Sequence, residues 1–195
     1  MGNELNLLLI RHGEIDSNVA KIYSGRSSEP LNSNGRIQAE RAAVQLAGQP
    51  IVGVFTSPLP RAVETANIVS RGLKLIPQVS PHFNELRMGP WEGLSEEQVE
   101  LTYPAEFAIW NTRPAELALD GRETLEELRS RVLAGLIDVH SRHGASPVAI
   151  VSHVAVIRVL MLHALGRPLN DYKKMVVPNA TPISLCVDAV QTGIA

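Results

Sequence analysis

Short apolar runs alternate with longer helical patterns along most of this chain, and this alternation limits the folds open to it. Strands are predicted at residues 7–10, 52–55, 73–79 (as an edge strand), 147–151 and 183–187. Helices are predicted at residues 33–47, 60–71, 124–142 and 154–165. Strands that alternate with helices favour a parallel sheet covered on both faces. We therefore predict an α/β fold, a three-layer α/β/α sandwich with a mainly parallel central sheet.

The segment at residues 89–121 is the least regular part of the chain. It contains three prolines and a sequence typical of a helix N-terminus, Ser95 followed by Gln98. A second such sequence, Thr124 followed by Glu127, opens the helix after it. We expect a helical excursion over the sheet edge that serves as a lid. Because no repeat or linker divides the chain, residues 1–195 are expected to form a single domain.

Composition excludes several classes of protein. The chain has 195 residues, a net charge of −2 and one cysteine, Cys186, which is too few for a disulfide framework. The first apolar run, residues 5–10, is too short for a signal sequence or a membrane span. We expect a soluble, cytoplasmic protein with neither a nucleic-acid nor a membrane partner. The apolar faces of its exposed helices leave room for a homodimer but do not specify one.

Basic residues follow three of the predicted strands. Arg11 and His12 follow the first, Arg61 lies just beyond the second, and His153 follows the fourth. Taken singly, His153 would be read as a core or capping histidine and Arg61 as a solvated side chain. Because parallel strands end at one edge of a sheet, all four side chains are expected to converge there. The planar guanidinium group of arginine and the free backbone N–H groups at a helix N-terminus both bind phosphate well. The sequence therefore predicts a phosphoryl site.

Four sequence blocks together resemble the histidine phosphatase superfamily, in its phosphoglycerate-mutase-like branch. They are LIRHGE at 9–14, SPLPRAVETA at 57–66, Glu85 followed by GPWEG at 89–93, and VSH at 151–153 with Arg158. The blocks occur in the family's order and cover nearly the whole chain. The resemblance implies the phosphoglycerate-mutase-like α/β sandwich.

The resemblance also implies a role for each matching residue. His12 would attack phosphorus and become a phosphohistidine, while Arg11, Arg61 and His153 would hold the phosphoryl oxygens. Glu85 would protonate the leaving oxygen and then activate water. By residue type alone, three other carboxylates compete with Glu85 for the acid role: Glu14, Glu92 and Glu97.

Further positions match the lining of the family's phosphate pocket. These are Asn18, Ser24, Gly25 and Val154, the last standing where many relatives have glycine. Thr124 matches a helix start that we interpret as structural. Fixed cations take the place of a metal, so no metal and no cofactor are expected. Three arginines, Arg87, Arg113 and Arg122, either line the outer pocket or are solvated. Trp91 and Trp110 are expected in the lid core.

The resemblance leaves the reaction open between two enzymatic activities. The chain is a short form of the family, similar to broad-specificity, α-ribazole-phosphate and phosphoserine phosphatases. We therefore expect a phosphomonoesterase acting on a small phosphorylated metabolite. The alternative is a cofactor-dependent phosphoglycerate mutase, for which 2,3-bisphosphoglycerate would be the primer. A third hypothesis is an inactive module that binds phosphorylated ligands, but His12 and Glu85 are both present.

Overall fold

The computed structural model describes residues 4–188 and contains a five-stranded sheet. Its strands are β1 (Glu4–Arg11), β2 (Gly53–Thr56), β3 (Gln78–Val79), β4 (Val148–Ser152) and β5 (Ile183–Asp188), in the order β3-β2-β4-β1-β5. The first four run parallel, and β5 pairs antiparallel with β1. The predicted mainly parallel sheet is therefore confirmed.

Seven α-helices surround or extend this sheet in the described chain. They are α1 (Asp16–Val19), α2 (Ser33–Leu46), α3 (Pro60–Leu73), α4 (Glu96–Thr102), α5 (Pro104–Thr112), α6 (Leu125–His143) and α7 (Val154–Ala164). Short 3-10 turns occur at Pro81–Phe83, Gly89–Trp91, Pro114–Glu116 and Leu169–Lys174. None of the helices within residues 4–188 is long and apolar enough to cross a membrane.

The two faces of the sheet bury different side chains of the same strand. In β1, Leu7 and Leu9 join the core formed with α6 and α7. The next residue, Ile10, points the other way and packs with α2 and α3. This follows from the two-residue repeat of a strand, and it makes the molecule the predicted three-layer sandwich.

The predicted edge strand at residues 73–79 was too long. Helix α3 continues to Leu73, and Lys74 ends it in a left-handed conformation with φ of 56°. Leu75 is partly buried against the core formed with α2 and α3, but Ile76 is 87% exposed. Only Gln78 and Val79 pair with β2, opposite Phe55 and Thr56. The strand lies at the edge as expected, but it is two residues long.

The excursion at residues 89–121 contains α4, α5 and two 3-10 turns. Its buried Trp91 contacts Trp110, Tyr103 and Phe107, and these rings pack on the α6 and α7 side of the sheet. Both tryptophans are in this core, as expected. Ser95 and Thr124 cap α4 and α6 in the predicted manner. That the excursion moves as a lid stays a prediction, as does the single-domain organisation.

Candidate active site

The carboxyl ends of β1, β2 and β4 lie side by side, since β4 pairs with both neighbours. A cavity of about 590 Å³ opens beside them. Most of the predicted site residues line it, namely Arg11, His12, Asn18, Ser24, Gly25, Glu85 and Val154. Arg61 and His153 are completely buried at the same edge. Arg87 lies elsewhere, with its Nε donating to the Gly121 carbonyl.

The His12 ring is held by a hydrogen bond that leaves the lone pair of its Nε2 free. Its Nδ1 lies 2.7 Å from the Gly13 carbonyl oxygen, which can only accept a hydrogen bond. Nδ1 therefore carries the proton, and Nε2 keeps its lone pair. Burial, followed by the nearby charges of Arg61 and Arg11, holds the pKa of His12 well below its ordinary value. The ring is thus neutral near pH 7, as a nucleophile must be.

The loop after β1 that carries His12 is fixed by close backbone packing. Gly13 N–H donates to the Thr65 hydroxyl, which in turn donates to the Arg61 carbonyl. A side chain at Gly13 would meet the Gly35 carbonyl oxygen at 2.3 Å. The Arg-His-Gly sequence therefore needs its glycine, because the N-terminal end of α2 passes directly against it. Sequence reasoning did not single out Thr65.

His153 precedes α7 and faces His12, with their ring centroids 5.1 Å apart. Its Nε2 lies 2.8 Å from the Ser57 hydroxyl, whereas its buried Nδ1 has no partner in the described structure. Burial, followed by the charges of His12 and Arg61, keeps the pKa of His153 well below its usual range. An incoming phosphoryl oxygen would supply the partner that Nδ1 lacks.

Two arginines supply the positive charge of the site. Arg61 donates from Nη1 and Nη2 to the carbonyl oxygens of Ser27 and Gly25, at 2.7 and 2.6 Å, and no partner is found for its Nε. Arg11 donates from Nη1 to the Val177 carbonyl, and its Nε is likewise unpartnered in residues 4–188. Backbone carbonyls orient both guanidinium groups without neutralising them. The positive charge therefore stays available for an anionic ligand.

Glu85 is the carboxyl group that can act as the acid. It is buried, and one oxygen accepts from the Leu86 N–H at 2.7 Å. Burial raises the pKa of Glu85, although the Leu86 hydrogen bond and the charges of Arg61 and Arg11 oppose this shift. A raised pKa favours the protonated form that donates to a leaving oxygen.

The competing carboxylates are placed differently. Glu14 lines the cavity, but it accepts hydrogen bonds from Asn34 and Asn32, and these lower its pKa. It is thus held ionised. Glu92 and Glu97 are exposed and do not line the cavity. Among the four candidates, Glu85 alone combines burial with a raised pKa in the cavity wall.

A network that sequence reasoning missed holds the backbone around Glu85. Glu123 pairs with Arg131 at 2.9 Å and with Arg26 at 3.2 Å. Arg131 donates to the carbonyls of His82 and Asn84, while Arg26 donates to the Glu85 carbonyl. The only sequence signal for this network was Glu123 itself, next to the helix cap Thr124.

Asn179 is a second residue that the sequence did not indicate. Its amide nitrogen donates to the His12 carbonyl and to Asn18 Oδ1, at 3.0 and 3.1 Å. Asn18 Oδ1 also accepts from the Ile15 N–H. Because both hydrogen bonds use its oxygen, the Asn18 amide group keeps its NH₂ for a ligand.

The three arginines for which the sequence left open a place in the outer pocket do not line the cavity. Arg113 forms an ion pair with Glu116, and Arg87 is bonded to the Gly121 carbonyl. Arg122 is buried, with its guanidinium carbon 4.4 Å from the Trp110 ring centroid and 5.3 Å from that of Trp91. Burial lowers the pKa of Arg122 to about 10. Arg122 thus contacts the aromatic core through cation–π interactions rather than facing the cavity.

The described residues contain no group of three or more His, Cys, Asp or Glu side chains arranged to hold a metal ion. Positive charge in the site comes from Arg11 and Arg61, which are permanently protonated at physiological pH.

Comparison with known proteins agrees with this fold. The chain matches the model of the histidine phosphatase superfamily (branch 1) over residues 7–193. It is 29% identical to phosphoserine phosphatase 1 of Hydrogenobacter thermophilus, over 91% of this chain and 84% of that protein. It is 30% identical to the probable phosphoglycerate mutase GpmB of Serratia proteamaculans, over 91% and 82%. The solved structure of Bacillus stearothermophilus YhfR is similar with a TM-score of 0.86 and 28% identity, over 92% and 90% of the two chains.

Fold and sheet-edge site together define a phosphoglycerate-mutase-like α/β enzyme of the phosphomonoesterase type. The chain belongs to the histidine phosphatase superfamily, and the resemblance that its four sequence blocks indicated is confirmed.

Proposed function

We propose that this protein hydrolyses a small phosphomonoester through a phosphohistidine at His12. The observation that carries the proposal is the buried, neutral His12 ring, whose Nδ1 is committed to Gly13 while Nε2 is free. Arg11, Arg61 and His153 surround it with donors for the phosphoryl oxygens. The phosphatase name of the Hydrogenobacter relative supports the same activity.

The reaction proceeds in two displacements at phosphorus. In the first, Nε2 of His12 forms a bond to phosphorus as the bond to the ester oxygen breaks, and Glu85 gives its proton to that oxygen. In the second, Glu85 takes a proton from water, the water oxygen bonds to phosphorus, and the P–N bond breaks. Arg11 and Arg61 stabilise the charge that spreads over the phosphoryl oxygens. The products are an alcohol and inorganic phosphate, and neither metal nor cofactor takes part.

The decisive test is capture of the intermediate. The protein is mixed with a ³²P-labelled phosphomonoester, quenched in base and analysed for acid-labile label on His12. We expect label on the native protein and none on the His12→Gln variant. His163→Gln, which changes a histidine away from the cavity, is the matched control and should keep the label. Absence of label and of turnover with every phosphomonoester would favour the inactive binding module.

Phosphoglycerate mutase is the second candidate, because GpmB is similar to most of this chain. A mutase must keep water from the phosphohistidine while its intermediate reorients. The excursion at residues 89–121 is short, which favours hydrolysis. An assay with 3-phosphoglycerate, primed with 2,3-bisphosphoglycerate, separates the two activities: a phosphatase releases inorganic phosphate, whereas a mutase forms 2-phosphoglycerate.

The size of the cavity favours a metabolite as the substrate. A volume of about 590 Å³ lies within the range of small-molecule sites. We propose a small phosphorylated metabolite as the partner. Val154 lines the cavity next to His153, so its side chain narrows the entrance where a glycine would not.

A further inference from the structure

Positive charge in this protein is divided between two environments. Many arginines and one lysine form ion pairs at or near the surface, with Arg36–Glu64, Arg142–Asp138 and Lys174–Asp171 as examples. None of the ion pairs found within residues 4–188 includes a residue that lines the cavity. Besides Arg11, the cavity wall carries Lys21, Arg158 and Lys173.

Arg158 is positioned by contacts that do not neutralise it. Its Nε donates to the Met175 carbonyl at 2.9 Å, and its guanidinium carbon lies 4.9 Å from the Tyr172 ring centroid. Burial lowers the pKa of Arg11 and the charge of Glu85 opposes this shift, while the charge of Arg158 lowers the pKa further, so the two arginines lie close enough for their like charges to interact. An anion between them would relieve this repulsion.

Lys173 lines the same cavity, in the part of the lining that we call the outer wall, formed by Lys21, Tyr23, Glu96, Trp110, Arg158, Tyr172 and Lys173. Its Nζ is 5.3 Å from the Trp110 ring centroid and donates to the Asn111 side chain. Burial, together with the charges of Arg158 and Arg122, lowers its pKa, while Glu96 opposes the shift. The ammonium group is therefore held among aromatic rings and other cations.

One carboxylate, Glu96, belongs to this outer wall and accepts a hydrogen bond from the Tyr23 hydroxyl at 3.4 Å. Two further carboxyl groups line the cavity, Glu85 and Glu14, and Glu14 is bonded to Asn32 and Asn34. The phosphoryl group of the substrate is already bound by Arg11 and Arg61 in the proposed reaction. Arg158 and Lys173 are in no ion pair found within residues 4–188, and their charges remain for another anionic group.

We propose that Arg158 and Lys173 form a subsite for a second anionic group of the substrate, a carboxylate or a second phosphate. This inference rests on the proposed phosphatase function and deepens it. The preferred substrate is then a small phosphomonoester with a second negative charge. A neutral alcohol phosphate would use only the inner half of the cavity.

Three esters that differ only at the far end of a three-carbon chain test the subsite. They are the phosphate of 3-hydroxypropanoate, propane-1,3-diol monophosphate and propane-1,3-diol bisphosphate. We expect kcat/KM to be at least about tenfold higher for one of the charged esters than for the neutral monophosphate. A preference for the first identifies a carboxylate site, and a preference for the bisphosphate identifies a phosphate site.

Substitutions then assign the preference to the two residues. Lys173→Met and Arg158→Met should each lower the charged-to-neutral ratio of kcat/KM at least about fivefold. A general loss of activity lowers both kcat/KM values and cancels in the ratio. Arg158→Lys keeps the charge and should retain most of the native preference for the charged ester. Lys174→Met is the matched control, because Lys174 pairs with Asp171 and lies outside the cavity.

Two results would contradict the proposed subsite. One is a charged-to-neutral ratio of kcat/KM near one in the native protein. The other is a ratio that Lys173→Met changes no more than Lys174→Met does. Failure of the proposed function looks different: none of the three esters is hydrolysed, and no label is captured on His12.

Discussion

His153 Nε2 and the Ser57 hydroxyl lie 2.8 Å apart, and both residues are completely buried. The contact joins the ends of β4 and β2, which the sheet places next to each other. Ser57 Oγ also accepts from the Leu59 N–H and lies 3.4 Å from Asn84 Oδ1. The hydroxyl proton therefore has two acceptors within reach, the histidine and the amide. Ser57 can bond to His153 whether the ring is neutral or protonated.

Replacing Ser57 by alanine should lower activity without unfolding the protein. The change leaves a buried ring nitrogen of His153 without its partner, which costs about 1–3 kcal/mol. If that cost falls on the transition state, kcat/KM for p-nitrophenyl phosphate drops about 5- to 150-fold. The control is Ser70→Ala, because the buried Ser70 hydroxyl has no partner in the described structure. Equal activity of the two variants would show that Ser57 does not position His153.

Replacing Glu85 by glutamine should slow phosphoenzyme formation most for esters whose leaving oxygen must be protonated. An alkyl phosphate, whose alcohol leaves poorly without a proton, is expected to react about 10²- to 10⁴-fold more slowly. p-Nitrophenyl phosphate should be affected much less, because nitrophenolate leaves without protonation. Single-turnover rates with both esters measure the difference. Glu97→Gln, at an exposed residue outside the cavity lining, is the control, and an unchanged alkyl phosphate rate in Glu85→Gln would remove Glu85 from the mechanism.

Acid should destabilise the folded protein through His12 and His153. Burial lowers both pKa values below the ordinary 6.5, so the unfolded chain binds more protons once the pH falls below about 6.5. The free energy of unfolding then decreases by up to about 1.4 kcal/mol per pH unit for each histidine. Urea unfolding between pH 7.5 and 5 measures this slope. His12→Gln should have a shallower slope than the native protein, and an identical slope would contradict the prediction.

Removing the charge of Glu123 should destabilise the protein and disturb Glu85 at the same time. Glu123→Gln leaves Arg131 without its carboxylate partner, and Arg131 is mostly buried. Loss of one partner from a buried pair costs about 3–5 kcal/mol, reduced here because Arg26 is partly solvated. We expect a fall of several degrees in the thermal unfolding midpoint and a lower kcat with alkyl phosphates. Glu126→Gln, which breaks the exposed pair with Arg129, should change the midpoint little.

Much of the fold followed from local patterns in the sequence. The strand and helix periods predicted every layer of the sandwich, and the caps at Ser95 and Thr124 lie where their sequences placed them. The edge strand at residues 73–79 was the exception. Leu73 belongs to helix α3, and Leu75 packs against the core without pairing in the sheet, so only Gln78 and Val79 pair with β2.

Residue types along single strands also predicted where the site lies. Arg11, His12, Arg61 and His153 each follow a strand end, and a parallel sheet brings such ends to one edge. The family match over residues 7–193 confirms the resemblance, and the site itself stays a prediction. The catalytic roles of these residues and of Glu85 stay predictions until the label and the variants are measured.

Contacts between distant segments were decided by the tertiary structure alone. The hydrogen bond of Asn179 to the His12 carbonyl and the support of Glu85 by Glu123 and Arg131 join residues that no local pattern connects. The same is true of the cavity lining, which contains Arg158 and Lys173 but none of the three arginines that the sequence left open between pocket and solvent. A sequence shows which side chains can hold a phosphate, because that depends on residue type and on strand and helix ends. Which charges remain unpaired in the cavity depends on partners far apart in the chain, and only packing brings those together.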